Sequence, residues 1–200
     1  MTLTLVTAPA LEPITREEAK AHLRVSLTDE DDLIDTLIQA ARAAVEAETK
    51  RSLITTAWSL RRDAFPSGNW MLMPRPPLLA ISAITYTDSA GAAQALATTV
   101  YTVDTPAGPF AEPGRLALKY GQVYPSTYAQ INSVAIAFTA GYGATAASVP
   151  APLRQAMLVA LGHYYAHREA VVIGSTAIAL PMAFAALCAR YDASTFGMAA

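Results

Sequence analysis

The stretch that decides the fold spans residues 133–169 and reads SVAIAFTAGYGATAASVPAPLRQAMLVALGHYYAHRE. Its first part predicts a strand, because Val134, Ile136 and Phe138 alternate with small or polar residues, the period of two that lines one face of a sheet. Gly141 and Gly143 end this strand, since glycine permits turns that are closed to other residues. A helix follows, with prolines at its first turn and apolar residues at helical spacing. The stretch therefore predicts a sheet joined directly to a long helix.

Composition limits the kind of protein that this chain can be. Its 200 residues fit one domain, or one domain with a sizeable insertion. Only 15% of them are charged, against about 25% in ordinary soluble domains, so we expect partners to cover part of the surface. The net charge of −2 is not that of a protein that binds duplex DNA through a basic patch. Cys188 is the single cysteine, which excludes an internal disulfide and predicts a buried, reduced thiol.

One segment raises the question of a membrane. Residues 170–189 are uncharged and close to the length of a spanning helix. Alanine dominates the segment, however, and Pro181 interrupts it. We therefore predict a segment that is buried in protein and no membrane partner.

Two helices are predicted ahead of a β-rich region. Thr15 and Glu18 form a capping box that opens the first helix. Thr28 is predicted to cap the second, whose first turn carries four acidic residues that complement the helix dipole. Lys50 and Arg51 are predicted to close the negative end of that helix. The acidic cluster lacks the glycine and the terminal glutamate of a calcium loop, so we interpret it as helix capping.

The region from residue 53 onwards contains short strand-forming segments separated by turns, which suggests an antiparallel sandwich or small barrel. The predicted fold class is α+β: a helical bundle of three to four helices with an inserted antiparallel β-sandwich or barrel-like domain. Residues 1–52 together with 145–200 are assigned to the helical domain and residues 53–144 to the inserted β domain. Residues 1–13 are predicted to be a loosely held, extended arm.

The sequence carries no complete pattern for catalysis, cofactor binding or metal binding. His163 and His167 have the i, i+4 spacing of zinc ligands, but the glutamate of the H-E-x-x-H form is replaced by Tyr164. Ser175 lies in a segment that lacks the second glycine of G-x-S-x-G. Arginines near Trp58 in the β region could interleave with bases, but we interpret them as ordinary surface residues. No catalytic, cofactor or metal residue is therefore predicted.

Several fragments, taken in their order and spacing, resemble one known family. They are ITREEAK (14–20), HLRV (22–25), TKRSLIT (49–55), ITY (84–86), DSAG (88–91), FTAGYG (138–143) and HYY (163–165). Together they resemble the tailed-phage head–tail connector, or adaptor, family, which is found also in prophages and gene transfer agents. The chain departs from that family near its end, where Ala189 replaces a proline and Arg190-Tyr191 stand in swapped order.

The resemblance implies a non-enzymatic protein of the particle neck. Family members assemble as a ring, typically of twelve copies, beneath the portal protein of a DNA-filled head. They join the head to the next tail-side connector, the stopper protein, and double-stranded DNA passes through their channel without sequence-specific binding. The expected location is the virion or particle neck, and the bacterial cytoplasm during assembly. No cofactor is implied.

The resemblance also assigns two sets of contact residues. The expected portal-binding residues lie in the C-terminal segment: Leu180, Met182, Phe184, Leu187, Arg190, Tyr191 and Phe196. The expected subunit-interface residues lie at the end of the long helix: Tyr164, Tyr165, His167, Arg168 and Glu169.

Two other functions stay open on the sequence alone. One is a carbohydrate- or surface-binding β module of a phage-like particle, with Trp58 and Trp70 in a stacking platform. The other is a small hydrolase, which requires an apolar pocket converging on His163 or Ser175.

Overall fold

The structure is a computed structural model that describes residues 1–167 and 180–194. Its helices are α1 (Arg16–Leu23), α2 (Asp31–Thr49), α3 (Ala151–Ala166) and α4 (Met182–Ala189), with a short 3-10 turn at Ala146–Ser148. Its strands are β1 (Thr2–Thr7), β2 (Thr56–Arg62), β3 (Trp70–Leu72), β4 (Leu78–Thr87), β5 (Ala93–Ala95), β6 (Tyr101–Asp104), β7 (Arg115–Leu118) and β8 (Val134–Ala140). The predicted class, α+β with an antiparallel β region, is confirmed.

The first helix begins where its capping box predicts. The Thr15 hydroxyl accepts a hydrogen bond from the Glu18 amide at 3.1 Å, and the Glu18 carboxylate accepts one from the Thr15 amide at 2.9 Å. The predicted cap of α2 at Thr28 is wrong, because the helix begins at Asp31 and its N-cap residue Glu30 makes no side-chain capping bond. Asp31 instead forms an ion pair with Lys20 of α1, so tertiary contacts fix this helix end.

The four helices bury one apolar core. α2 contributes a stripe at helical spacing, and α3 contributes Leu153, Met157 and Leu161 on the face that packs against it. α4 adds Phe184 and Cys188, which are almost completely buried. Burial raises the pKa of the Cys188 thiol to about 11, so this thiol stays protonated at neutral pH, as expected of a reduced core cysteine.

The strands form two antiparallel sheets. The larger has the order β1-β2-β8-β4-β5, and the smaller has the order β3-β7-β6. β8 lies in the middle of the larger sheet and alternates buried with half-buried residues along its whole length, as its sequence predicts. Both sheets contribute to one apolar core, which includes Leu60, Ile84, Leu116, Ile136 and Phe138. Within the described residues these strands form open sheets and not a closed barrel, and a sandwich arrangement stays a prediction.

The N-terminal residues are more firmly held than predicted. Thr2–Thr7 are extended, but they pair in antiparallel register with β2 and form one edge of the larger sheet. Their sequence, TLTLVT, has high β-propensity and contains neither glycine nor a charged residue, which suits a strand of the sheet. The proposed division at residues 52 and 145 remains a prediction, although this strand lies with the β region and not with the helices.

A glycine joins the sheet to the helices. Gly141 follows β8 with φ of +137°, in the region that disfavours side chains. A Cβ atom built there would lie 2.5 Å from the main-chain carbonyl of Ile54, and the Gly141 amide donates to the Pro77 carbonyl at 2.9 Å. The backbone at Gly141 therefore lies so close to the residues after α2 that position 141 has no room for a side chain.

Gly141→Ala is expected to lower the free energy of unfolding by about 1–3 kcal/mol, because the new methyl group meets main-chain atoms that cannot move aside cheaply. Gly68→Ala is the matched control, since a Cβ atom there meets nothing within 4 Å. Urea denaturation of both variants measures the difference. Equal midpoints for the two variants would show that the close approach at Gly141 is unimportant.

Candidate functional site

The helices, the β region and the C-terminal segment meet around one buried arginine. Arg51 follows α2 and is only 1% exposed. Its guanidinium donates one hydrogen bond to the Ala111 carbonyl at 2.7 Å and another to the Tyr191 carbonyl. The sequence suggested that Arg51 neutralises the end of a helix, whereas in the structure it connects residues that are 60 and 140 positions away.

The C-terminal segment is attached at this same junction. Arg190 lies over the ring of Phe110 at 4.1 Å, and Tyr191 contacts that ring at a centroid distance of 5.0 Å. The Ala193 amide then donates to the Thr49 carbonyl at 3.0 Å. Residues 190–193 therefore bridge the end of α2 and a loop of the β region.

A buried carboxylate forms a second link between helices and sheet. Glu46 of α2 accepts a hydrogen bond from the Leu53 amide at 2.9 Å and pairs with Arg42 at 3.2 Å. Arg75, from the β region, donates to the Glu46 carbonyl at 3.0 Å and lies over the Trp58 ring at 5.1 Å. Burial raises the pKa of the Glu46 carboxyl above its usual value, and the hydrogen bond from Leu53 and the nearby arginines oppose this effect only in part.

The structure divides the predicted portal-binding residues into two groups. Phe184 and Tyr191 are 4% and 5% exposed and pack into the chain's own helical core, so in this conformation they support that core and present no surface. Leu180 and Leu187 pack partly against the same core. The remaining described residues of the set are the exposed Met182 and Arg190, while Phe196 lies outside the described residues.

The outward side of α4 is uncharged and exposed. Met182 is 90% exposed, and the other exposed positions of this helix are all alanines: Ala183, Ala185, Ala186 and Ala189. Phe184 and Cys188 anchor the opposite side. α4 thus presents a smooth apolar face held in place by a buried one. We call these five exposed residues the α4 face.

The predicted subunit-interface residues lie where α3 ends. Tyr165 is half-buried and its hydroxyl donates to the carboxylate of Glu30, at the start of α2. The His167 ring lies against the His163 ring at a centroid distance of 4.7 Å and is tilted from it by 32°, and Tyr164 is half-buried beside them. Arg168 and Glu169 lie outside the described residues. Tyr164, Tyr165 and His167 are exposed enough to contact a neighbour, and that contact stays a prediction.

A groove of about 700 Å³ lies between the β region and the helices, but it does not contain the residues expected of a hydrolase. Its titratable lining groups are Tyr142 and Arg154, and His163 is not among its lining residues. Ser175 lies outside the described residues. Burial raises the pKa of Tyr142 to about 12, and its hydroxyl donates to the Pro109 carbonyl, which is a structural contact.

The described residues also test the other binding hypotheses. Trp58 lies on the larger sheet and is half-buried, whereas the exposed Trp70 lies on the smaller one, so the two do not share one sheet face. Among the described residues, no group of three or more His, Cys, Asp or Glu is arranged to hold a metal ion. No helix within residues 1–167 and 180–194 has the length and apolar character needed to cross a bilayer.

Arg51→Met is expected to lower the free energy of unfolding by about 3–5 kcal/mol, because it leaves buried carbonyl groups of two distant segments without donors. The matched control is Arg61→Met, at an exposed arginine of β2, which should change stability by about 0.5 kcal/mol or less. Chemical denaturation provides the measurement. A similar small effect at both positions would contradict the role assigned to Arg51.

The stability that Glu46 contributes should depend on pH. Its folded-state pKa is raised, so its contribution is complete below the ordinary value of 4.5 and is lost as pH rises through the folded-state pKa. The free energy of unfolding of the native chain, minus that of Glu46→Gln, should therefore fall as pH rises from about 4 towards neutral. Denaturation at a series of pH values measures this difference, with the exposed Glu48→Gln as control. A difference that rises with pH would have the opposite sign, and it would refute burial as the main effect on the Glu46 pKa.

Comparisons with known proteins agree with this architecture. Residues 14–94 match the family model described as phage gp6-like head-tail connector protein. Two similar solved structures are the neck of an empty gene transfer agent particle computed with C6 symmetry, and the virion of a native gene transfer agent particle. The first has a TM-score of 0.78 and 26% identity, the second 0.77 and 27%, and each match covers 96% of this chain and 95% of the other.

A third similar structure, the neck of a native gene transfer agent particle computed with C12 symmetry, has a TM-score of 0.72 at 24% identity and bears on the fold alone. A search of curated proteins finds no match. The carbohydrate-binding hypothesis is not favoured by these comparisons. The family match over residues 14–94 and the neck structures bear out the resemblance: this chain is similar to phage head–tail connector proteins, including those of gene transfer agent particles.

Proposed function

We propose that this connector forms a ring in the particle neck, directly beneath the portal protein, and that it acts without catalysing a reaction. The observation that carries the proposal is the fold match, which extends over 96% of the chain to a neck computed with C6 symmetry. Twelve copies is a multiple of that symmetry, so a ring of twelve is the proposed assembly. Such rings use heterologous contacts, in which one flank of a subunit binds a different flank of its neighbour.

The proposed portal contact is the α4 face together with Arg190 and the segment that follows. The uncharged α4 face can be buried against another protein without desolvating a charge. Met182 is its one large exposed side chain, and Leu180 and Leu187 flank it in part. Phe184 and Tyr191 keep the helix oriented, since they are already packed in the core. Phe196 remains a candidate anchor.

The other proposed contacts follow from the same arrangement. Tyr164, Tyr165 and His167, with Arg168 and Glu169 beyond them, are proposed to contact the neighbouring subunit. The helical part, residues 1–52 and 145–200, would form the ring, and residues 53–144 would extend from it towards the stopper protein. Double-stranded DNA would pass through the channel without sequence-specific binding, in keeping with a net charge of −2. Assembly would take place in the bacterial cytoplasm.

Met182→Asp is expected to reduce the amount of connector bound to portal-bearing heads by about tenfold or more, because a charge would be buried in an apolar contact. Leu27→Asp is the matched control, since Leu27 is also exposed but lies between α1 and α2. Quantitative immunoblotting of purified heads measures the bound connector. Equal binding of the two variants would refute the role of the α4 face.

A further inference from the structure

The loop between β7 and β8 is long and irregular, yet it is firmly held. Residues 119–132, here called the tip loop, read KYGQVYPSTYAQIN. Irregular loops of such length are uncommon in compact domains and usually carry a function. The Tyr124 ring stacks on Phe65 at 4.7 Å with an interplanar angle of 6°. The Tyr128 amide donates to the Thr87 carbonyl at 3.0 Å, and the Asn132 amide donates to the Asp63 carboxylate at 2.9 Å.

The same loop carries large side chains that are exposed to solvent and do not pack into the core of the described chain. Tyr120 is 104% exposed, Ile131 79% and Val123 78%. Exposure of three such residues on one anchored loop costs solvation free energy that no contact within the described chain offsets. Because the backbone is already fixed, a partner would bind these side chains without ordering the loop first.

The loop also lies at the opposite end of the molecule from α4. β8 has seven residues, roughly 23 Å of strand, and it begins beside the tip loop and ends at Gly141 beside the helices. α4 packs within the helical core at that far end. The connector therefore presents two separated apolar surfaces, the α4 face at one end and the tip loop at the other.

The chemistry of the tip loop specifies the kind of partner. Lys119 is its single charged residue, and the Lys119 ammonium donates to the Thr98 carbonyl at 3.0 Å. A loop with so little free charge does not suit phosphates, which argues against contact with DNA. Its tyrosines, serine, glutamines and asparagine instead resemble the composition of loops that bind protein surfaces, in which tyrosine supplies contact area and a hydrogen-bonding hydroxyl.

We propose that the tip loop is the surface with which this connector binds the protein ring that follows it on the tail side, through Tyr120, Val123 and Ile131. This inference rests on the proposed function, because the position of the loop opposite the portal contact selects the tail-side neighbour. The partner surface is expected to be neutral, with apolar depressions for these side chains and main-chain or amide groups for the tyrosine hydroxyls.

The first test replaces the three exposed side chains together: Tyr120→Ser, Val123→Ser and Ile131→Ser. Heads carrying this variant should retain the connector but yield about tenfold fewer tailed particles, since a few buried apolar anchors carry most of the energy of an interface. The matched control replaces three exposed leucines elsewhere, Leu11, Leu27 and Leu79, by serine. Electron microscopy counts the tailed particles, and immunoblotting of heads measures the retained connector.

Each outcome of that test is informative. Normal tails on the loop variant would overturn the inference, and so would loss of the connector from heads, which would place the loop in the ring or at the portal. Absence of the native connector from native particles would instead refute the proposed function. Thermal unfolding of the variant protein, compared with the control, identifies any general loss of stability.

The second test identifies the partner directly. A photo-crosslinking aromatic residue replaces Tyr120 in assembling particles, and a parallel protein carries it in place of Leu27. Crosslinks from position 120 to a protein on the tail side, absent from the control position, would support the inference. Crosslinks to a second copy of this chain or to DNA would overturn it.

Discussion

The structure depends on the burial of charged groups at the junction between helices and sheets. Arg51 is held by main-chain carbonyls of the β region and of the C-terminal segment. The Glu46 carboxylate is held by the Leu53 amide and Arg42, and the Glu46 main-chain carbonyl accepts a hydrogen bond from Arg75 of the β region. A buried charge is tolerated only where hydrogen bonds replace its lost hydration. Any rearrangement of the helices against the sheets would break these bonds, so the burial of charge fixes their relative position.

Under the proposed function, the same constraint would let this protein transmit position from one neighbour to another. A protein that joins two large assemblies must keep its two contact surfaces in fixed geometry, because flexible coupling would lose alignment. Tyr191 and Phe110 connect the segment after α4 with the β region, and Gly141 brings the sheet into direct contact with the residues after α2. The two proposed contact surfaces, the α4 face and the tip loop, are thus joined through packed helices and sheets.

The features that could be predicted from the sequence are those set by neighbours along the chain. The capping box of α1, the alternation of β8 and the turn at Gly141 involve residues within a few positions of one another. The start of α2 could not be predicted in this way, because Asp31 pairs with α1. Nor could the pairing of β1, since TLTLVT has no local signal that selects β2 as its neighbour.

The contact residues show the same limit more sharply. Phe184 and Met182 both appear as apolar residues in an uncharged segment, but a helix turns them to opposite sides, and one is buried while the other is 90% exposed. Only the tertiary packing of α4 tells which of them is available to a partner. The tip loop was missed because its sequence contains no motif, and its significance lies in the combination of a fixed backbone with exposed apolar side chains. The low fraction of charged residues predicts that partners cover part of the protein surface. Only the fold shows where on the molecule the exposed apolar residues lie.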